Sequence, residues 1–268
     1  MLMEASDLKV CLVPMSIMWG DIESNMLTLQ NILNSIHPET DLVILPETFS
    51  TGFPTGASKD DVKGMAEEDN GKTIKFLINL STIHNVAISG SLIIKDEYGV
   101  YNRGFFIEPS GECYFADKVH LFRMGGENEV FNSGDTRLLV RFRGWNISMI
   151  ICYDLRFPVW CRNVDNQYDL LIVVANWPET RSFVWQTLLT ARAIENMAYV
   201  CGVNCKGVDE MGNHYDGLSM AIDFKGKNIG VKSDELIYAL LKKENLQKFR
   251  NKFPAWKDAD YFRIENKK

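Results

Sequence analysis

The stretch Asn146-Ile-Ser-Met-Ile-Ile-Cys-Tyr-Asp-Leu-Arg-Phe-Pro158 places a cysteine at the point where an apolar run stops. The run Ile147–Ile151 is mostly aliphatic, which predicts a strand buried on both faces. The polar residues Asp154 and Arg156 then end it. In α/β proteins, the carboxyl ends of such strands carry reactive groups. Cys152 is therefore a candidate nucleophile, although a lone cysteine in such a run is more often a small core residue.

A carboxylate follows a second aliphatic run, Asp41-Leu-Val-Ile-Leu-Pro-Glu47. Pro46 lacks an N–H for a sheet hydrogen bond, so it ends the predicted strand. Glu47 then lies at the edge of that strand, before a loop rich in turn formers. Beside apolar walls, a carboxyl group can hold a proton near neutral pH and act as a general base. Alone, Glu47 would more often be a solvated loop residue.

A lysine occurs in the otherwise largely apolar segment Cys113-Tyr-Phe-Ala-Asp-Lys-Val-His-Leu-Phe122. If this segment is extended, Lys118, His120 and Phe122 share one face, because side chains alternate along a strand. Lys118 is then either a surface charge or a buried cation. A buried ammonium would stabilise a thiolate and, later, an oxyanion.

Together, three motifs resemble those of the nitrilase (carbon–nitrogen hydrolase) superfamily in order and spacing. They are Leu45-Pro-Glu47, Asp117-Lys118-x-His120-Leu-Phe122 and Cys152-Tyr-Asp-Leu-Arg-Phe-Pro158. The resemblance runs from Val10 to about Phe224, and it includes Gly90-Ser91, Tyr101-Asn102 and Thr190–Asn196. The chain resembles the ω-amidase branch in particular, through Phe122-Arg-Met-Gly-Gly-Glu-Asn-Glu and Val174-Ala-Asn-Trp-Pro178.

The resemblance implies a catalytic triad of Glu47, Lys118 and Cys152. It also implies a second glutamate between the lysine and the cysteine, for which Glu127 and Glu129 are both candidates. In the family pattern this glutamate precedes the glycine of the next turn by seven residues. Gly134 therefore favours Glu127, and we expect Glu129 to face solvent or a loop.

The activity implied is that of an ω-amidase, which hydrolyses the terminal amide of small dicarboxylate monoamides such as 2-oxoglutaramate and 2-oxosuccinamate. Ammonia would leave and a thioester on Cys152 would be hydrolysed. The oxyanion would be stabilised by Lys118 and by the backbone N–H of Tyr153. We expect no cofactor and no bound metal.

Arg156 is the candidate specificity residue, because a helical turn from Cys152 would place both on one side. A guanidinium binds a carboxylate with two hydrogen bonds, but a structural ion pair is an equally good reading of the residue alone. In ω-amidases an arginine at this position is implicated in holding the distal carboxylate of the substrate, which favours the first reading. Further candidates for the lining of the pocket are Phe53, Trp177 and Thr180.

Composition narrows the class of protein. The chain has 268 residues and a formal net charge of -6, which argues against a general nucleic-acid binder. It has no apolar stretch of the roughly 20 residues that span a bilayer, and the first seven residues do not look like a signal peptide. Six scattered cysteines and four histidines form no zinc pattern and suggest a reducing cytoplasm.

The pattern of apolar residues predicts an α/β protein with two packed sheets and helices outside. The resemblance makes this a four-layer α-β-β-α sandwich, with residues 1–268 as a single domain, a C-terminal tail from about 235 and pairing into a homodimer. Strands are predicted over the runs Lys9–Val13, Leu42–Leu45, Val86–Ile94, Gly104–Ile107, Ile147–Cys152, Leu170–Val174, Tyr199–Val203 and Ser219–Asp223. Helices are predicted after a cap at Ser24 or Asn25, through Ile74–Ile83, over Phe183–Met197 and over Glu235–Phe249.

Three other interpretations remain open at this stage. A papain-like dyad would pair Cys152 with His120 and leave Glu47 and Lys118 without a function. Another enzyme of the same superfamily would share the triad, whether a true nitrilase or an amidase acting on N-carbamoyl compounds or deaminated glutathione. A catalytically silent binding protein on the same scaffold would be expected to have lost part of the triad, whereas all three positions are intact.

Overall fold

The structure is a computed structural model that describes residues 7–54 and 56–264. Residues 1–6 and 265–268 lie outside the described residues. The prediction that the N-terminus is not a signal peptide therefore falls mostly on residues that are not described. The strands are β1 (Leu8–Leu12), β2 (Leu42–Ile44), β3 (Ala87–Lys95), β4 (Val100–Ile107), β5 (Cys113–Asp117), β6 (Leu138–Phe142), β7 (Trp145–Ile151), β8 (Leu170–Ala175), β9 (Tyr199–Asn204), β10 (Lys206–Val208), β11 (His214–Asp216), β12 (Met220–Ile222), β13 (Val231–Ser233) and β14 (Leu236–Leu241). The helices are α1 (Ile22–Leu33), α2 (Lys59–Met65), α3 (Lys72–His84), α4 (Glu127–Val130), α5 (Pro158–Cys161), α6 (Ser182–Glu195) and α7 (Lys243–Lys252).

Two large sheets form the body of the protein. The first has seven strands in the order β13-β14-β1-β2-β3-β4-β5, and the second has five in the order β12-β9-β8-β7-β6. At the centre of each sheet, three strands run parallel: β1, β2 and β3 in the first, and β7, β8 and β9 in the second. Every strand predicted from the sequence overlaps one of these observed strands.

Alternation along the strands assigns each residue to a layer. In β1, Val10 and Leu12 pack in the core between the two sheets, whereas Cys11 packs in the core outside the first sheet. In β7, Met149 lies in the core between the sheets and Ile150 lies outside the second sheet. Both faces of the central strands are therefore buried, which explains their unbroken aliphatic runs.

Helices cover the two outer faces. Leu29 and Leu33 of α1 pack with Leu77 of α3 on the first sheet. Trp185 and Leu189 of α6 pack on the second. The layers are thus helix, sheet, sheet, helix, as the resemblance to the nitrilase superfamily implied. No helix in residues 7–54 or 56–264 is long and apolar enough to cross a membrane.

The C-terminal part departs from the prediction. The segment Glu235–Phe249 was expected to be one helix, but Leu236–Leu241 is a strand and the helix begins only at Lys243. Strand β14 pairs antiparallel with β1 and lies inside the first sheet, so this stretch is not a tail. A run as apolar as Leu-Ile-Tyr-Ala-Leu-Leu suits either structure, and here sheet pairing decides.

The start of α1 also differs from the prediction, which placed the cap at Ser24 or Asn25. The residue that caps the helix is Asp21, whose carboxylate accepts a hydrogen bond from the Ser24 N–H at 3.0 Å. Asn25 is buried and instead donates to the carbonyl oxygens of Met18 and Ser50. Ser24 and Asn25 are both good capping types. The Ser24 hydroxyl instead donates to the Asp21 carboxylate at 2.8 Å, and a tertiary contact with Ser50 occupies Asn25.

A buried ion cluster attaches α7 to the body. The carboxylate of Asp169, just before β8, pairs with the Lys243 ammonium and, at 2.9 Å, with the Arg250 guanidinium. Arg250 also donates to the carbonyl oxygens of Tyr168 and Met197. One carboxylate therefore pairs with two buried cations, which lie near the two ends of the same helix.

We predict that Asp169→Asn destabilises the protein by about 3–5 kcal/mol, because it leaves two buried cations without a counter-charge. Urea unfolding followed by circular dichroism measures the change. The matched control is Glu244→Gln, which breaks an exposed ion pair with Lys248 on the same helix and should leave the unfolding midpoint nearly unchanged. Equal effects of the two substitutions would contradict the anchoring role of Asp169.

Candidate active site

Cys152 follows β7 directly and is the first residue of a 3₁₀ turn that extends to Arg156. Its backbone has a φ of 45°, in the left-handed region that residues other than glycine rarely adopt. Such strain is retained at functional sites when the surroundings hold it in place. The sharp turn lifts the thiol out of the end of the strand and into a pocket, so Cys152 is half-buried rather than a core residue.

Asp154 holds this turn. One of its carboxylate oxygens accepts a hydrogen bond from the Ile151 N–H at 3.1 Å, across the strained residue. The other accepts from the backbone N–H of His120 at 2.8 Å and contacts the ring Nδ1 of the same histidine at 2.8 Å. A single buried carboxylate thus connects the nucleophile turn to the segment that carries Lys118.

Glu47 is fully buried and its carboxylate is held from several sides. Oε1 accepts hydrogen bonds from Lys118 Nζ at 2.9 Å and from Asn102 Nδ2 at 2.8 Å. Oε2 accepts from the backbone N–H of Asn176 at 2.8 Å. The Cys152 thiol lines the same pocket, close enough for the negative charge of Glu47 to raise the pKa of the thiol. Glu47 is therefore a fixed acceptor beside the thiol and not a solvated loop residue.

Lys118 is the first residue after β5, so the extended segment ends before it and does not continue to Phe122. Its carbonyl oxygen accepts a hydrogen bond from the Gly134 N–H at 2.9 Å. A Cβ at Gly134 would lie 2.4 Å from the carbonyl oxygen of Asp117, so the close approach of the two segments requires glycine there. The ammonium is buried and lies 2.9 Å from Glu47 Oε1 and 2.8 Å from Glu127 Oε1.

Of the two candidate accessory glutamates, the structure brings only Glu127 to the lysine. Glu127 is the first residue of α4 and is buried, and its second oxygen accepts a hydrogen bond from the Phe122 N–H. Glu129, two residues later, is exposed. The site therefore contains one ammonium between two buried carboxylates.

The charges around the thiol determine its protonation. Burial raises the pKa of the Cys152 thiol well above its usual value, the negative charge of Glu47 raises it further, and Lys118 lowers it only in part. Burial lowers the pKa of Lys118, but the charges of Glu127 and Glu47 outweigh burial and hold that pKa well above its usual value. At neutral pH the site thus holds a neutral thiol and a charged ammonium.

The pKa of Glu127 is raised above its usual value, chiefly by burial. The positive charge of Lys118 lowers this pKa and the negative charge of Glu47 raises it. The net effect leaves the pKa of Glu127 above its usual value. A second negative charge close to Glu47 is therefore held only because the ammonium lies between the two carboxylates.

The triad opens into a cavity of about 290 Å³. Glu47, Lys118 and Cys152 line it together with Tyr153 and Arg156. Two other residues expected from the sequence, Phe53 and Trp177, also line it. The Phe53 ring lies 5.3 Å from Lys118 Nζ, and the Arg156 guanidinium lies 5.0 Å from the Trp177 ring.

Thr180, the remaining residue expected in the lining, is exposed and is not among the residues that line the cavity. The turn after Pro178 directs its neighbour Arg181 into the cavity instead. His120 does not line the cavity either: its ring is stacked on Phe157 at 3.7 Å and faces Asp154. Among the described residues, no group of His, Cys, Asp and Glu side chains is arranged to hold a metal ion.

Three residues that hold the site were not assigned a function from the sequence. Asn102 and Asn176 both donate to the Glu47 carboxylate, and Asp154 holds the nucleophile turn. The motifs Tyr101-Asn102 and Val174–Pro178 already stood out as parts of the family resemblance. The available signal was a polar side chain within a buried strand or just after one, because buried polar groups need partners.

Comparison with known proteins points to the same family as the sequence motifs. Residues 9–251 match the carbon–nitrogen hydrolase family. The ω-amidase YafV of Escherichia coli K12 is 42% identical over 260 residues, which cover 96% of this chain and 98% of the relative. The 2-oxoglutaramate amidase of Bacillus subtilis 168 is 28% identical over 247 residues, covering 90% of this chain and 93% of the relative.

Among solved structures, XC1258 from Xanthomonas campestris, a CN-hydrolase superfamily protein with an arsenic adduct in its active site, superposes with a TM-score of 0.91. It is 38% identical and covers 97% of this chain, with 100% of its own chain matched. Nit3 of Saccharomyces cerevisiae, at 24% identity and a TM-score of 0.81, covers 94% of this chain and 97% of its own and shares the fold. The chain belongs to the carbon–nitrogen hydrolase family, which is also called the nitrilase superfamily.

Proposed function

We propose that this protein is an ω-amidase that hydrolyses the terminal amide of small dicarboxylate monoamides, such as 2-oxoglutaramate and 2-oxosuccinamate. The observation that carries the proposal is the convergence of Cys152, Glu47 and Lys118 in one pocket that also contains the Arg156 guanidinium. The first three groups suit amide hydrolysis by a thiol, and the fourth suits a carboxylate on the same substrate. Similarity to the E. coli ω-amidase over nearly the whole chain points the same way.

Acylation begins with the proton of the thiol. Because the thiol pKa is raised, a free thiolate does not form at neutral pH, and Glu47 takes the proton as sulfur attacks the amide carbon. A C–S bond forms, and the carbonyl oxygen becomes an oxyanion that Lys118 and the Tyr153 N–H stabilise. Glu47 then returns the proton to the leaving nitrogen, the C–N bond breaks, and ammonia departs.

Deacylation repeats these steps with water. Glu47 removes a proton from a water molecule, which attacks the thioester carbon, and the same donors stabilise the second oxyanion. The C–S bond breaks, the proton returns to sulfur, and the product is the free dicarboxylate. Glu127 stays paired with Lys118, so the ammonium keeps its position through both halves of the cycle.

Arg156 binds the carboxylate at the far end of the substrate. It lies on the same 3₁₀ turn as Cys152, and no described carboxylate forms an ion pair with it. This absence of a partner among residues 7–54 and 56–264 favours a ligand-binding role over the structural ion pair that the sequence left open. Phe53 and Trp177 supply the apolar walls between the two ends.

The rival assignments fit the geometry less well. A dyad of Cys152 and His120 needs the histidine beside the thiol, whereas its ring faces Asp154 outside the cavity lining. A silent binding protein would not require the strained backbone of Cys152 or the fixed carboxylate beside it. An amidase for N-carbamoyl compounds or deaminated glutathione shares the triad. It differs in the residues that contact the part of the substrate beyond the amide group.

A homodimer, a cytoplasmic location and a single domain over residues 1–268 stay predictions from the sequence.

Replacement of the nucleophile tests the proposal directly. We expect wild-type protein to release ammonia from 2-oxosuccinamate and 2-oxoglutaramate, and Cys152→Ala to reduce kcat by at least about 10⁴-fold. The matched control is Cys113→Ala, which removes a half-buried thiol from the first residue of the edge strand β5, outside the cavity lining. A strong preference of the wild type for nitriles or N-carbamoyl amines would overturn the ω-amidase assignment, and full activity in Cys152→Ala would overturn the mechanism.

Glu47→Gln tests two effects of this carboxylate separately: its action as the general base and its influence on the pKa of the Cys152 thiol. We expect ammonia release to fall by about 10²–10⁴-fold, because the general base is lost. The thiol pKa should fall, because the negative charge that raises it is removed while Lys118 remains. Alkylation of Cys152 by iodoacetamide, followed by mass spectrometry against pH, should therefore reach half its maximal rate at a lower pH in the variant. An unchanged or higher midpoint would contradict this account, and retained activity combined with loss in His120→Ala would favour the dyad.

Arg156→Met tests the carboxylate site. We expect KM for succinamate to rise by about tenfold to a hundredfold, because charged hydrogen bonds to the substrate are lost. Butyramide, in which a methyl group replaces the carboxylate, should respond much less. Initial rates of ammonia release give both constants. A parallel loss with the two amides would show that Arg156 acts on the fold of the turn and not on the substrate.

A further inference from the structure

A second guanidinium lines the same cavity. Arg181 belongs to the 3₁₀ turn Glu179–Arg181 that follows β8, and it lies on the cavity wall with Arg156. Strands β7 and β8 are parallel neighbours, with Ile151 opposite Val174. The turns after these two strands therefore emerge at the same edge of the second sheet, which brings the two arginines to one pocket from different elements.

Of the positively charged side chains that line the cavity, one is paired with carboxylates and two are not paired with any described carboxylate. Lys118 is paired with Glu47 and Glu127, so the inner part of the site holds its own counter-charges. Arg156 and Arg181 have no ion pair with any carboxylate in the described part of the chain. The outer part of the pocket thus carries two positive charges that have no counter-ion among residues 7–54 and 56–264.

Aromatic faces hold both guanidinium groups without neutralising them. Arg156 lies 5.0 Å from the ring of Trp177, and Arg181 lies 5.5 Å from the ring of Phe122. A guanidinium stacked in this way keeps the N–H groups of its edge available for an anion. The turn that carries Arg181 is itself fixed, because Trp177 Nε1 donates to the Arg181 carbonyl oxygen at 2.9 Å.

We infer that Arg181 is a second specificity residue, which binds the far carboxylate of the substrate together with Arg156. The inference rests on the proposed function and deepens it: the pocket takes amides whose other end is a carboxylate shared by two guanidinium groups. Trp177 connects the two arginines, since its ring supports one and its N–H holds the turn of the other. Neutral amides of the same length meet an uncompensated positive wall.

The test compares succinamate with butyramide in Arg181→Met. Methionine retains the contact with the Phe122 ring, and the backbone acceptor for Trp177 is unaffected by the change of side chain. We expect the ratio of kcat/KM for succinamate to that for butyramide to fall by about tenfold or more, mainly through KM for succinamate. Arg181→Lys should recover part of the ratio. Competitive inhibition by succinate should weaken in parallel, which reports binding independently of turnover.

Arg141→Met provides the matched control, because Arg141 is an exposed arginine on β6 that is not part of the cavity lining. If wild type prefers succinamate and Arg181→Met retains that preference, the inference is wrong while the proposed function stands. Equal losses with both amides would assign Arg181 a structural role and would also overturn it. Simple additivity in the Arg156→Met/Arg181→Met double variant would contradict a shared carboxylate. A wild type that does not hydrolyse succinamate would overturn the proposed function and the inference together.

Discussion

The pairing of one buried ammonium with two buried carboxylates is the constraint around which this protein is built. Lys118 contacts Glu47 at 2.9 Å and Glu127 at 2.8 Å, with both partners inaccessible to solvent. Burying any one of these charges alone would cost several kcal/mol. The chain can bury them only together, so the end of β2, the end of β5 and the start of α4 must all arrive at the same point. Cys152, at the end of β7, meets the cluster there.

The site also joins the two halves of the sandwich. Glu47 follows a strand of the first sheet, whereas Cys152 and Asn176 follow strands of the second. Asn176 donates from its backbone to the Glu47 carboxylate and from its side chain to the Glu47 carbonyl oxygen at 2.9 Å. These hydrogen bonds cross from one sheet to the other at their carboxyl edges. The apolar core between the sheets holds the two sheets together, and these hydrogen bonds fix the Glu47 carboxylate relative to the second sheet.

The sequence predicted the parts of this arrangement that depend on local pattern. Unbroken aliphatic runs before Glu47 and Cys152 indicated buried strands, and the three motifs pointed to one family and one triad. The sequence failed where long-range pairing decides. Leu236–Leu241 suits a helix or a strand equally, and only its place beside β1 makes it a strand. Thr180 and Arg181 are adjacent, and the geometry of one turn determines which of them reaches the cavity. The roles of Asn102 and Asp154 depend on partners 55 and 34 residues away, which no local pattern reveals.

The protonation of the thiol follows from the same constraint. Burial raises the pKa of the Cys152 thiol, and two carboxylates around a single ammonium leave no surplus positive charge to reverse that effect, so the sulfur rests neutral. A nucleophile in this state is activated only when its proton can move to Glu47 and the new negative charge can move to the substrate oxygen. In the proposed mechanism Lys118 and the Tyr153 N–H stabilise that oxygen, while the left-handed backbone of Cys152 directs the sulfur into the pocket. Activation is thereby coupled to the presence of a carbonyl group. The strain at Cys152 is held by Asp154, whose hydrogen bonds fix the sulfur and the lysine segment relative to each other.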